Sequence, residues 1–208
     1  MSKPLLLVDV DGVLNSFGGP YSGQPAPDGY VLHRLRDRSW TDEQGRPWVS
    51  GGLRLWLNPA HGSMLLAIAD LVELAWCTAW RETANEHIAP VVGLPELPVV
   101  PLPDGWQTLN EHHWKIPGVE EYAGDRALAW FDDEFAVADD EWAAKRAAGG
   151  TPTLVVHIDP LFGLRQEDVD TVAEWARSLW VPESEAPVSY APCADIVCAP
   201  DLAHGKVG

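Results

Sequence analysis

Two acidic side chains, one residue apart, follow an apolar run near the start of the chain. Residues 5–8 read Leu-Leu-Leu-Val, and Asp9, Asp11 and Gly12 come just after them. Such a run is typical of a buried parallel strand, and ligands bind beyond the carboxyl ends of these strands. Neighbouring carboxylates repel each other unless a cation lies between them, and their hard oxygens suit Mg²⁺ together with a substrate phosphate. The alternative is an ordinary turn with solvated acids, since Asp and Gly are common turn formers.

Three further features could take part in the same chemistry. An apolar stretch leads into Thr78, another leads into Asp132 and Asp133, and Lys115 lies between them along the chain. Phosphoryl transfer needs a nucleophile, a proton donor, acids that hold a metal, and cationic and hydroxyl groups for the phosphate oxygens. Each requirement has a candidate here. The alternative for Asp132 and Asp133 is the N-cap of a following helix, a position that favours Asp.

The order and strand context of these motifs resemble the haloacid dehalogenase (HAD) superfamily of phosphotransferases over about residues 4–180. Residues 76–80 and 128–134 also look like a poorly characterised bacterial branch of that superfamily. The resemblance implies a Rossmann-like parallel sheet and a Mg²⁺-dependent phosphomonoester hydrolase that works through an aspartyl phosphate. It also leaves open a non-catalytic domain that binds a phosphorylated ligand or protein partner, or a phosphatase for nucleic-acid ends.

The resemblance implies a role for each matching residue. Asp9 would be the nucleophile that becomes phosphorylated, and Asp11 would act as general acid for the leaving group and then as general base for water. Thr78 would hydrogen-bond the phosphoryl oxygens. Lys115 would offset negative charge on the nucleophile and on the transferring group. Thr78 and Lys115 would therefore serve both catalysis and substrate binding.

The resemblance also implies a Mg²⁺ site. The ligands would be the Asp9 carboxylate, the Asp11 backbone carbonyl, and an acid from the pair Asp132 and Asp133. Because side chains alternate along a strand, these two acids point in different directions. We therefore expect Asp133 to contact the metal directly and Asp132 to support it from behind.

The rest of the chain alternates between strand-like and helix-like segments, which predicts an α/β fold with a parallel sheet and helices on both faces. The predicted strands lie at about 4–9, 72–77, 97–100, 127–132 and 153–158, and the predicted helices at about 60–70, 81–91, 116–123, 139–148 and 166–180. We expect one hydrolase domain over residues 1–181. Residues 182–208, rich in Pro and Ala, are expected to form a loosely packed C-terminal extension.

An insertion at residues 16–58 separates the first strand from its expected helix. Its length and its extended runs predict a β-hairpin flap or small cap, which would leave the site open to a phosphorylated small molecule or chain end. The alternative is that the insertion only packs against the domain edge. Trp80 lies two residues after Thr78 and could stack on a base or sugar, although core packing is the alternative. We expect His112 and His113, near Lys115, to lie in a surface loop.

Composition favours a soluble domain. The 14 basic and 31 acidic side chains among 208 residues give a formal charge of −17. This charge disfavours nucleic acid as a partner without excluding a short chain end, because nucleic acids attract clustered Lys and Arg. No apolar stretch is long enough for a membrane span, and the three cysteines suit a reducing compartment, so we expect a cytoplasmic protein. Nothing in the sequence specifies the substrate or the oligomeric state.

Overall fold

The computed structural model describes residues 2–19, 23, 25–35, 52–104 and 112–180. Its strands are β1 (Leu5–Val8), β2 (Val31–Leu35), β3 (Leu53–Leu57), β4 (Glu73–Trp76), β5 (Leu128–Asp132) and β6 (Thr153–His157). Its helices are α1 (His61–Leu66), α2 (Thr83–His87), α3 (Ala89–Val92), α4 (Ile116–Ala123), α5 (Val137–Ala148) and α6 (Gln166–Ser178). The predicted extension at residues 182–208 lies outside the described residues.

A parallel sheet with the order β4-β1-β5-β6 forms the centre of the molecule. Strand β1 lies between two neighbours and is completely buried, which explains why its sequence is continuously apolar rather than alternating. The Rossmann-like α/β fold that the sequence predicts is therefore confirmed. Because all four strands run in the same direction, the residues that follow their carboxyl ends meet at one edge.

Helices cover both faces of this sheet. On one face, the side chains of Leu6 and Val8 join a core that includes buried residues of α1, α2, α3 and α6. On the other face, Leu5 and Leu7 pack with residues of α4. The alternation of β1 side chains thus divides the apolar core in two. Among the described helices, none has both the length and the apolar character needed to cross a membrane.

The described part of the insertion forms a two-stranded antiparallel sheet from β2 and β3. The larger of these two cores, which contains Leu6 and Val8, is called the main core below. Leu55 and Leu57 of β3 are buried in it, so the base of this hairpin is anchored to the domain. The backbone of Asn15 pairs with Leu57, which joins the hairpin to the segment just after β1. The hairpin base is therefore connected to the loop that carries Asp11. Residues 36–51, which connect β2 to β3 along the chain, lie outside the described residues.

Two predicted elements are interrupted at proline. The predicted strand at 97–100 makes one isolated bridge to β4, through Val99 and Trp76, because Pro98 has no N–H for a continuous ladder. The predicted helix at 81–91 is divided into α2 and α3, which meet at Ile88, and Pro90 lies in the first turn of α3. A proline is tolerated there because the first turn leaves its N–H groups unpaired.

Candidate active site

The carboxyl edge of the sheet brings together the acidic and hydroxyl groups that the sequence predicts. Asp9 directly follows β1, Thr78 follows β4 by two residues, and Asp132 is the last residue of β5. Asp9, Thr78 and Asp132 are all buried. Lys115 comes from a different direction, since it directly precedes α4, whose apolar residues pack against β1 and β5.

The Lys115 ammonium lies between two carboxylates. Its Nζ is 2.8 Å from Oδ2 of Asp9 and 2.7 Å from Oδ2 of Asp132, and its side chain is only 2 % exposed. We call Asp9, Lys115 and Asp132 the ion-pair cluster. One cation shared by two buried carboxylates leaves a net negative charge, and burial makes such a charge costly unless it is further compensated.

The negative charge of Asp132 is stabilised by two further hydrogen bonds. Its Oδ1 accepts hydrogen bonds from His113 at 3.1 Å and from the backbone N–H of Glu134 at 3.1 Å. The backbone N–H of Lys115 donates to Nδ1 of His113, so the ring proton lies on Nε2 and is donated to Asp132. Despite its burial, the pKa of Asp132 is lowered to about 2, because Lys115 and His113 stabilise its anion.

The negative charge of Asp9 is less well stabilised than that of Asp132. Its Oδ1 accepts the backbone N–H of Val10 at 2.7 Å, and the Thr78 hydroxyl also hydrogen-bonds its carboxylate. Burial nevertheless raises the pKa of Asp9 to about 7, with a further contribution from the negative charge of Asp132, although Lys115 opposes the shift. The same two carboxylates raise the pKa of Lys115, so the ammonium remains protonated.

Asp11 has neutral partners. Its Oδ2 accepts a hydrogen bond from the indole Nε1 of Trp80 at 2.8 Å, and its Oδ1 accepts one from the Asn15 amide at 2.7 Å. We call Asp11, Asn15 and Trp80 the Asp11 cluster. Asp11 is half-buried, whereas Trp80 is only 8 % exposed and its ring belongs to the main core. The part of Trp80 that reaches the site is thus its N–H group, which contacts an acid.

Asp133 lies against the backbone of Gly12. Gly12 has a φ of +72°, and a Cβ placed there would overlap the Asp133 carboxylate, so only glycine permits this approach. Burial, and then the charges of Asp132 and Glu134, raise the pKa of Asp133 to about 6. The N-cap alternative for this acid pair is wrong, because α5 begins only at Val137 and Asp139 caps it by accepting the N–H of Ala136.

The site has the donor set of a hard cation. One ligand atom from each of Asp9, Asp132 and Asp133 lies within 4.8 Å of the others. Burial is the main cause of the raised pKa values of Asp9 and Asp133, and the neighbouring negative charges add to it. Carboxylate oxygens in such a cluster match the preference of Mg²⁺. Asp9 and Asp133 line the pocket over the site, whereas Asp132 is completely buried behind it, so Asp9 and Asp133 are the carboxylates that a metal in this pocket would contact.

A pocket opens over these groups. It is lined by Asp9, Asp11, Thr78, Lys115 and Asp133 together with Phe17, Ala79, Trp114 and Glu134. Five predicted site residues therefore line one pocket, while Asp132 lies behind them. Phe17 belongs to the start of the insertion and is 49 % exposed. The insertion thus contributes an aromatic side chain to the pocket, next to the predicted nucleophile.

The sequence interpretation missed three residues that organise the site. The prediction of a surface loop is wrong for His113, which is buried against Asp132. Residues 113–115 form a turn ahead of α4, so no strand-like pattern in the sequence could have revealed this contact. Asp139 accepts the backbone N–H of His113 at 2.7 Å and so holds this loop against α5. Asn15 likewise gave no signal in the sequence.

Comparisons with known proteins provide little further information. No family model matches the chain, and no curated protein matches it. Among solved structures, it is similar to a protein of Vibrio cholerae described provisionally as a 3-deoxy-D-manno-octulosonate 8-phosphate phosphatase. That match has 17 % identity and a TM-score of 0.40, and it covers 85 % of this chain and 86 % of the other. At this level of likeness, the evidence for function is the site itself.

Proposed function

We propose that this protein is a Mg²⁺-dependent phosphomonoester hydrolase that works through an aspartyl phosphate on Asp9. The observation that carries the proposal is the arrangement of four groups in one pocket: a buried carboxylate paired with Lys115, a second carboxylate at Asp11, the Thr78 hydroxyl, and Asp133. Each group supplies one requirement of phosphoryl transfer, and the HAD resemblance of the sequence assigns them the same roles.

In the first half-reaction, an Asp9 carboxylate oxygen attacks phosphorus and the ester P–O bond breaks. The contacts with Val10 N–H and Lys115 orient the carboxylate, so little reorganisation is needed before attack. The leaving oxygen carries away the electron pair of that bond and takes a proton from Asp11. Thr78, which already contacts Asp9, lies where it can donate its hydroxyl proton to a phosphoryl oxygen.

In the second half-reaction, Asp11 accepts a proton from water while the water oxygen attacks phosphorus. The Asp9 acyl–phosphate bond breaks, inorganic phosphate leaves and the Asp9 carboxylate is restored. Asp9 and Asp133 would hold Mg²⁺, together with the Asp11 backbone carbonyl. Bound Mg²⁺ supplies positive charge that stabilises the phosphoryl oxygens. Lys115 is a cation when substrate binds, because the two carboxylates beside it raise its pKa.

The test is release of inorganic phosphate from a panel of phosphomonoesters, including an oligonucleotide with a terminal phosphate, with and without Mg²⁺. We expect Asp9→Asn to lower turnover by roughly 10⁴-fold or more, since it removes the nucleophile. Asp70→Asn, at a position away from the pocket, is the matched control and should retain activity. A folded wild-type protein that releases no phosphate from the panel with Mg²⁺ would contradict the hydrolase. If that protein still bound phosphate, a binding domain would be the better interpretation.

A further inference from the structure

The hydrogen bonds of Asp11 differ in kind from those of the other site acids. Asp9 and Asp132 contact an ammonium, whereas Asp11 accepts hydrogen bonds from an indole and an amide, one on each carboxylate oxygen. Both donors are neutral over the whole physiological pH range. The orientation of Asp11 therefore does not depend on the charge of either partner.

Neither donor can take a proton from Asp11. An indole N–H is a donor only. The amide of Asn15 is oriented by the backbone, because its Oδ1 accepts the N–H of Trp56 in β3 at 2.8 Å and its Nδ2 therefore faces Asp11. When Asp11 is protonated, its proton must lie on a lone pair that these two donors leave open. Asp11 lines the pocket, so that proton is available for transfer to a group bound there.

The two donors are attached to different parts of the molecule. Trp80 follows β4, its backbone N–H lies 3.3 Å from Oγ1 of Thr78, and its ring is fixed in the main core. Asn15 is joined to the hairpin through Trp56 and through its own pairing with Leu57. Asp11 is thus held between the loop of the predicted phosphate-binding Thr78 and the base of the insertion.

We propose that Trp80 and Asn15 are positioning residues that hold the Asp11 carboxylate in line for proton transfer to the leaving group. This inference rests on the proposed hydrolase function and assigns Trp80 a role other than substrate stacking. Without the two hydrogen bonds, the Asp11 side chain would sample several rotamers. General acid–base catalysis by a positioned group contributes about 10²–10⁴-fold to rate, and part of that contribution would then be lost.

The expected signature is a dependence on the leaving group. p-Nitrophenolate leaves without being protonated, whereas the alkoxide of an alkyl phosphate such as glycerol phosphate needs a proton from Asp11. Trp80→Phe keeps the aromatic packing and removes only the N–H donor. We expect it to lower kcat/KM, which reports the first half-reaction, by about 10–100-fold for the alkyl ester and much less for p-nitrophenyl phosphate. The second half-reaction is common to both esters, so an effect on that step would lower kcat equally for both.

Comparisons with further variants make this test specific. Trp175→Phe removes a similar amount of core packing at a partly buried position on α6 and should leave both substrates unaffected. Asp11→Asn should show the same leaving-group dependence to a larger degree, and adding Trp80→Phe to it should cause no further loss. If Trp80→Phe fails to fold, as judged by its thermal unfolding, Asn15→Leu replaces it and should show the same selective loss.

The outcomes separate this inference from the proposed function. An equal loss of kcat/KM on both esters, no loss of kcat/KM on either, or a rise in KM without a fall in kcat would overturn the positioning role while leaving the hydrolase intact. The rise in KM would instead support substrate binding by Trp80. A wild-type protein that hydrolyses neither ester would overturn the hydrolase and the positioning role together.

Discussion

The ion-pair cluster and the Asp11 cluster each contribute to the same pocket and hold their carboxylates by different means. In the ion-pair cluster, Lys115 is shared by two buried acids, so the charge state of each member depends on the others. In the Asp11 cluster, neutral donors hold a half-buried acid. We therefore expect charge-changing substitutions and pH to act on stability through the ion-pair cluster, and substitutions in the Asp11 cluster to act mainly on the chemistry.

The largest effect on stability is expected from removing the shared cation. Lys115→Met leaves Asp9 and Asp132 buried without their ammonium, and breaking a buried ion pair in this way costs about 3–5 kcal/mol. Urea unfolding at pH 7 measures this loss, with Lys145→Met on the exposed face of α5 as the matched control. If the two variants lose the same stability, the ion-pair cluster does not stabilise the fold as we describe.

The next effect is a pH dependence that belongs to Asp9. Its pKa is raised to about 7 in the folded protein and is near 3.8 in the unfolded chain, so the unfolded state releases its proton first. Without metal, the Asp9 contribution to the unfolding free energy is present below about pH 4 and is lost as pH rises to about 7. The loss is on the order of 2–4 kcal/mol.

This prediction is measured as the difference between wild type and Asp9→Asn in chelator, since other groups also titrate in this range. The substituted amide does not ionise, so the variant should lack the decline between pH 4 and 7 that Asp9 causes. Asp132, whose pKa is lowered to about 2, contributes the opposite slope below pH 4. If the unfolding free energies of the two proteins ran parallel between pH 4 and 7, the charges of Asp9 and Asp132 would not be unequally stabilised as described.

The smallest expected effect distinguishes the neighbouring acids Asp132 and Asp133. Asp133→Asn should weaken Mg²⁺ binding by about 10–100-fold, about 1–3 kcal/mol. It should not destabilise the metal-free protein, because Asp133 makes no ion pair with Lys115 and burial already raises its pKa. Asp132→Asn should instead destabilise the metal-free fold, since it removes a partner of Lys115. Calorimetric Mg²⁺ titration and urea unfolding of both variants test the distinction, and the reverse pattern would exchange their roles.

Much of the site could be predicted because chain order and strand pattern determine it. An apolar run followed by Asp9 and Asp11 must end at the edge of a parallel sheet, and the later strands bring Thr78 and Asp132 to the same edge. The prediction that Asp133 binds metal directly remains a prediction, and the location of the pocket supports it. The observed strand and helix bounds differ from the predicted ones at Pro98 and Pro90, and the missing N–H of proline accounts for these differences.

The contacts that set the orientation and the charge stabilisation of the acids could not be predicted from chain order and strand pattern. Trp80 and Asp11 are 69 residues apart, and His113 and Asp132 are 19 apart, so no local pattern relates either pair. A tryptophan in a core position is expected for its packing alone, and a histidine in a loop is expected to be solvated. The role of each depends on which atom the packed chain directs toward an acid.

The amino-acid sequence by itself determined the parallel sheet, the identity of the acids at its edge and the hairpin insertion, because these follow from local hydrophobic pattern and from chain order. Only the tertiary structure decided which carboxylate shares Lys115, which one is held by neutral donors, and which one approaches the backbone of Gly12. The physical reason is that hydrogen bonds and desolvation act over a few ångströms. Those distances are set only when segments distant in the chain pack together.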